Sequence, residues 1–560
     1  MVALIVLIAI SSIIFLLQKK TWSINKNIVF PIVTSVFYFW SLAGAWLFIF
    51  DKMTGIGESI GLGYYYLLEK MFYVELDGTY AFVIGLYGLF IVAYQLTCLF
   101  FLKKNSKENH ENKSEFKPIN LHSLPIVLVA IVSLLGSFIL VKDVIFYSLI
   151  LNESVYINVR SSGVSYYSIH QYFNWIMIVS LYIYLGLYYS KGIKLGDIKK
   201  PSILFWIVFF ICNLYLVFIG SRHETFLAGI IAVLLFSFPQ RSIRKSLKLY
   251  LTFGVFFATI LALNDPIRAM LPSICSKTGL TSVVSTQSNK RKAELFQLDR
   301  TFIVHKSEKK SRDFIKKESL KDTTVSVYQD SIKLEMIDVR LKKQEFFAQI
   351  KDHPNYLLLK GNQLKLPNPK ISGAYNKISL AEKVIHSITN IIFSNELFAG
   401  HFSLYGIFKY DVKPKFGLSF RAMLEFVKPK TDRSSEVLDA YSYYAKKMKF
   451  PPGQGFTINH ISSWYLNFSY FGIVIGGMFI AFILMFFYVK KQRASGGIGE
   501  LLSLIVLCSV TAFCAMLVRS GPEAFKSLLI EAIIIPVVIY FSAIVFTKYM
   551  LLFRDRFKSK

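Results

Sequence analysis

Long apolar runs separated by short polar loops set the pattern of this chain. Eleven of them approach the length that crosses roughly 30 Å of hydrocarbon: about 2–17, 28–50, 80–102, 123–142, 172–189, 202–220, 224–239, 247–264, 464–488, 499–518 and 527–548. Each predicts a transmembrane helix, because a helix satisfies its own backbone groups where no water can. The first run has no small-residue cleavage site after its apolar core and reads as an uncleaved span. Lys and Arg gather in "QKKTWSINKN", "KKNSKENHENKSEFK", "SKGIKLGDIKK", "PQRSIRKSLK", "VKKQRASGG" and the tail "FRDRFKSK". These segments alternate onto one side, which the positive-inside rule makes cytoplasmic, with the N-terminus outside and the C-terminus inside. The expected fold is an all-α polytopic membrane protein of about 11 transmembrane helices.

The pattern also divides the chain. Residues 1–264 form an N-terminal membrane bundle of about eight helices. Residues 265–462 form a large loop domain on the outer face, and 463–560 supply three closing helices. Composition agrees with this reading: 54% of the 560 residues are hydrophobic and 16% aromatic, unlike a soluble enzyme. Charge adds something new. The loop carries about 33 basic and 19 acidic residues, so roughly half of the chain's net +29 falls where the positive-inside rule does not ask for it. An anionic partner is one explanation. For the Lys-rich part, Lys290 to Lys351, a solvated helical surface is the plainer one.

The five cysteines, four in spans and Cys275 alone in the loop, suggest neither a disulfide framework nor a thiolate metal site. No phosphate-binding glycine loop and no metal-spaced His/Cys/carboxylate cluster is evident, which argues against ATP hydrolysis.

Polar residues concentrate at the outer ends of the spans. In "GSRHETFLAG", Arg222, His223 and Glu224 sit between two apolar runs with almost no loop, where charge is expensive and wants a partner. Arg222 is a candidate anion ligand, since a guanidinium matches phosphate oxygens; an arginine reaching for the surface is the bland alternative. "NDPIRAM" places Arg268 at the same level. "SNELFAGHFSLYGIFKYDVKPKFGLSF" brings Glu396, His401, Tyr405, Lys409 and Asp411 close together, with His401 and Tyr405 one helical turn apart. In "GQGFTINHISSWYLNF", His460, Ser463, Trp464 and Asn467 share one helical face. Trp464 and Tyr465 also suit an interfacial aromatic belt. A helix N-terminus there would aim its dipole at a phosphate headgroup. "VRSGPEAFKSLLIEAIIIP" turns at Gly521-Pro522 and carries Arg519, Glu523 and Lys526 to the boundary, with Glu531 inside the last span. Glu75 and Asp77 in "VELDG" are explained equally well by a turn before a helix.

These stretches resemble the Wzy-type O-antigen polymerases, also called oligosaccharide repeat-unit polymerases. "GHFSLYGIFKYDVKPKFGLSF" and "GQGFTINHISSWYLNFSYFGIVIGG" resemble the outer-loop and re-entry motif of one branch. "RSGPEAFKSLLIEAIIIP" resembles its closing hairpin, and "GSRHE" its Arg-bearing turn. The resemblance covers about a fifth of the chain and omits the Lys-rich 277–351 segment. It implies a GT-C-like glycosyltransferase in a bacterial cytoplasmic membrane, with its large loop facing the periplasm or exterior. The reaction it implies uses no nucleotide sugar, metal or other cofactor. A growing glycan moves from one undecaprenyl pyrophosphate onto the terminal sugar of another lipid-linked repeat unit. Lipid-linked oligosaccharides, membrane lipid, a flippase and a chain-length regulator are the partners implied, and nucleic acid is not among them. Arg222, Arg268 and Arg519 are then candidates to steady the pyrophosphate, with Lys526 and Tyr405 lining the site. His401 or His460 is the candidate base, and Tyr465 and Asn467 are placed to orient the sugar or the pyrophosphate. An O-antigen ligase shares the same donor. A lipid-linked-sugar flippase would carry its charges along a central cavity instead.

Overall fold

The computed structural model describes residues 2–54, 72, 74–106, 119–150, 167–190, 196–219, 222–238, 400–427, 438–448, 458–494 and 497–558, with strands between 325 and 365. It is mostly helical. Among the described residues, eight helices are long and apolar enough to cross a membrane: Val2–Ile24, Val29–Phe50, Gly78–Asn105, Ser123–Lys142, Ile169–Tyr189, His460–Arg493, Gly497–Cys514 and Pro522–Phe553. Two shorter apolar helices, Ile203–Ile219 and Glu224–Ser237, match the expected runs at 202–220 and 224–239. The expected span at 247–264 lies outside the described residues.

We label the elements that position the site α1 (Val2–Ile24), α2 (Val29–Tyr38), α3 (Gly44–Thr54), α4 (Gly78–Ser106), α5 (Ser123–Ile150), α6 (Tyr167–Tyr189), α7 (Ile203–Ile219), α8 (Arg222–Ser237), α9 (Ser403–Lys409), α10 (Leu418–Val427), α11 (Ala440–Lys447), α12 (His460–Arg493), α13 (Gly497–Met516) and α14 (Ile535–Lys558). Helix α4 is central, packed by α1 on one side and α12 on another. Helices α5, α6 and α8 form a second group that meets α13. Phe15, Phe100, Ile203, Phe210, Phe471 and Phe541 point outward, as a surface solvated by lipid requires. Gly477 is where α12 meets α4 most closely, because a Cβ there would run into the Phe90 carbonyl. Small residues bring membrane helices into backbone contact in this way.

Two helices widen for a turn. Phe39–Ala43, between α2 and α3, and Leu528–Ile534, ahead of α14, are π-helical. Such turns release carbonyls from the regular ladder and recur at functional sites. Here Ser41 O accepts from His401 and Glu531 O accepts from Trp175 Nε1–H at 2.9 Å.

The all-α expectation needs one correction. Five strands between 325 and 365, β3 (Val325–Gln329), β4 (Ile332–Lys342), β5 (Glu345–Ile350), β6 (Tyr356–Lys360) and β7 (Gln363–Lys365), pair antiparallel in chain order. A short parallel pair, β1 (Ile119–Leu121) with β2 (Gly196–Ile198), precedes α5 and α7. At Val325–Gln329, Ile332–Lys342 and Glu345–Ile350 the helical surface expected of the Lys-rich segment is therefore strand. The cause is visible in "SIKLEMIDVRLK", where Ile332, Leu334 and Met336 alternate with polar residues. That is a period of two, which the density of lysines had obscured.

Candidate functional site

The loop 400–409, the turn 411–419, the start of α12 and the hairpin 517–525 come together beside α4. Their contacts are polar and buried. His401 is fully enclosed. Its Nδ1 lies 2.7 Å from the Ser41 carbonyl and its Nε2 2.7 Å from Tyr80 Oη. A carbonyl only accepts, so Nδ1 carries the proton and Nε2 accepts from the tyrosine hydroxyl. Burial disfavours the imidazolium and lowers the ring's pKa from 6.5 to about 4. Gly44 leaves room for this ring, since a Cβ there would stand 2.9 Å from His401 Cγ. The His401 carbonyl in turn accepts from Tyr87 Oη–H at 2.6 Å.

Hydroxyls and amides extend the web. Ser403 Oγ and Ser462 Oγ are 2.7 Å apart, and Ser403 Oγ accepts from the Asn459 backbone N–H at 3.1 Å. Asn459 caps α12 by accepting from Ile461 N–H, while its amide donates to Ser41 Oγ at 3.0 Å. This helix N-terminus is therefore engaged by its own cap inside the protein.

Helix α12 is two helices. Phe468 and Ser469 have non-helical backbone, with Ser469 at φ 57°, ψ −148°. The break folds the first segment back on the second. In a straight helix residues 464 and 476 would be about 18 Å apart, yet a Cβ on Gly476 would sit 2.6 Å from Trp464 Cγ. A Cβ on Gly472 would collide with the Trp464 carbonyl. Trp464 is consequently a core residue, 2% exposed, and not part of an interfacial belt. Its Nε1–H donates to His460 Nε2 at 2.8 Å, and His460 Nδ1–H donates to the Ser520 carbonyl. Asn467 holds the neighbouring turn: it accepts from Ser419 N–H at 2.7 Å and donates to Ser419 Oγ and the Ser463 carbonyl. In the hairpin, Glu523 Oε1 accepts from Gly521 N–H at 3.0 Å.

His401, His460, Tyr405, Tyr465 and Asn467 are thus brought together. Tyr405 Oη accepts from Glu75 N–H, and Lys409 lies over its ring. Tyr465 packs against Phe408 and Tyr470. Asp77 caps α4 through Tyr80 N–H at 2.8 Å, the structural role of a turn before a helix. Lys526 is exposed just past the hairpin. Arg222 and Arg519 are placed by backbone alone, at the start of α8 and in the 3₁₀ turn Leu517–Arg519. Arg268 and Glu396 lie outside the described residues.

The expectation that His401 or His460 serves as a base meets an obstacle. Each ring has both nitrogens engaged within the protein, so neither offers a free lone pair in this arrangement. Asn467 is similarly occupied, which leaves its amide no spare donor for a sugar. Sequence reading missed Tyr80, Tyr87 and Ser41. The first two had a signal, because Tyr80, Tyr87 and Tyr94 recur every seventh residue on one face of α4. Ser41 had none, since its carbonyl is freed only by the π-turn.

Among the described residues no three His, Cys, Asp or Glu side chains gather closely enough to hold a metal ion. No family model matches the chain, and neither does any curated protein or solved structure.

Proposed function

We propose that this chain is a membrane glycosyltransferase that polymerises lipid-linked oligosaccharide repeat units by releasing a polyprenyl pyrophosphate. One observation carries the reading. Three of the four stretches whose sequence resembles the polymerases, 400–420, 453–477 and 519–536, are separate in the chain, yet their described parts meet in one buried polar web. A membrane anchor needs no such web, because buried polar groups cost free energy unless each finds a partner.

On this reading the glycan-bearing anomeric carbon sits at the hairpin and the broken helix. Negative charge develops on the pyrophosphate as its bond to that carbon breaks. Cations fixed in a low-dielectric setting stabilise that charge, and Arg222, Arg268, Arg519 and Lys526 are the proposed suppliers. His401 and His460 act as struts, each joining two segments through both ring nitrogens. The test is deletion of the gene, followed by electrophoresis of the surface polysaccharide. A ladder that collapses to a single attached repeat unit supports the polymerase. Loss of all surface repeat units, with lipid-linked material accumulating, would instead identify a ligase or flippase.

A further inference from the structure

Two buried oxygens beside the 517–525 hairpin have no hydrogen-bond partner, and both belong to the same place. Ser463 Oγ and Glu523 Oε2 are closed off from solvent and unpartnered. A Cβ at Gly521 would collide with both, so the two oxygens flank one point above the glycine. The Ser419 side chain stands beside the Glu523 carboxyl, but Oε2 closes no hydrogen bond to it. The polar side chains beside them are satisfied: His460 by Ser520 and Trp464, and Asn467 by Ser419 and Ser463. Folded proteins rarely leave two such atoms side by side without a reason. On the glycosyltransferase reading, one acceptor hydroxyl would complete both at once. A hydroxyl donates to the carboxylate oxygen and accepts from the serine hydroxyl, within the 2.5–3.0 Å such bonds span.

We infer that Ser463 and Glu523 form the acceptor-hydroxyl site, with Glu523 as the general base. The assignment rests on the glycosyltransferase reading above and replaces the histidines as proton acceptor. In the step it implies, the acceptor hydroxyl oxygen bonds to the anomeric carbon of the donor glycan. The bond from that carbon to the pyrophosphate oxygen breaks, and its electron pair leaves on the pyrophosphate. The hydroxyl proton passes to Glu523 Oε2. Ser463 holds the nucleophile by donating to its other lone pair. Glu523 Oε1 stays on Gly521 N–H and fixes the aim of Oε2.

The test uses the full-length chain, restored to a deletion strain as wild type, E523Q and S463A. Membrane abundance and melting temperature in detergent are recorded beside the polysaccharide ladder. Gln keeps an acceptor for Gly521 N–H but cannot take the proton. E523Q is expected to accumulate and melt normally while losing polymer on the order of 10²- to 10⁴-fold, the range for a general base. S463A removes an oxygen that bonds nothing in the protein. It is expected to melt at or above the wild-type temperature while polymer falls about tenfold, the loss of one hydrogen bond to the reacting group. If E523Q sustains a wild-type ladder, the assignment is wrong although the polymerase reading stands. An E523Q chain that no longer accumulates gives the carboxylate to the fold and also overturns the assignment. A deletion strain with an undiminished ladder removes the polymerase reading and the base together.

Discussion

A serine at φ 57°, ψ −148° occupies backbone space that is close to glycine-only, at a cost on the order of 1–3 kcal/mol. At Ser469 that cost buys the fold-back which seats Trp464 on Gly472 and Gly476. Ser469→Gly should therefore raise the apparent melting temperature in detergent without changing the ladder, whereas a fall would mean that the serine hydroxyl holds the break. His401 makes a prediction about pH. Its folded pKa of about 4 lies below the unfolded value near 6.5. Between those values the unfolded chain binds the extra proton, so stability is complete above about pH 6.5 and falls as pH drops toward 4. The full span is worth about 3 kcal/mol. The difference in melting temperature between pH 7 and pH 5 should shrink in His401→Gln, which can still donate to Ser41 O and accept from Tyr80. An unchanged difference would assign the pH response to other groups.

At the scale of elements, the helix beginning at His460 was legible in the sequence, and so was the shared face of His460, Ser463, Trp464 and Asn467. The break eight residues later was not. No proline marks it, and Ser469 gives no warning; the nearby glycines at 472, 476 and 477 signal close packing without saying what packs. The partner turns out to be the helix's own first segment. Asn467 is the latch of that arrangement, its side chain joining α12 to Ser419 at the start of α10 by two hydrogen bonds. Asn467→Ala strands Ser419 N–H in a buried site, a cost of about 1–3 kcal/mol. Its detergent melting curve should shift down accordingly, and equal stability would show that the turn finds another partner. The meander at 325–365 taught the opposite lesson. Its alternation was written in the residues, but a count of lysines drew attention to charge instead of period.

For the molecule as a whole, long apolar runs located the described helices of membrane length, because lipid leaves so few alternatives; the short helices α9, α10 and α11 fall outside those runs. The site was harder to read. It depends on which carbonyls lose their regular partners, and side-chain identity does not record that. The orientation inferred from the basic loops makes a prediction of its own. In a chain freed of native cysteines, Lys413→Cys should react with an impermeant maleimide added to intact cells, and Lys490→Cys should react only after the membrane is opened. Both positions are exposed, so the reverse pattern would invert the topology.

The π-turn at Phe39–Ala43 bears on how the chain tolerates a change of length. A π-turn is one surplus residue held within an α-helix. Deleting a single residue there would let the helix close up into regular pitch, with no gap and no broken rung. Everything from Gly44 to Thr54 would keep its facing about the axis, because the widened turn had absorbed the surplus residue, but the carbonyl that now meets His401 would return to its own ladder. A deletion that the helix absorbs without strain would thus leave the imidazole without its anchor.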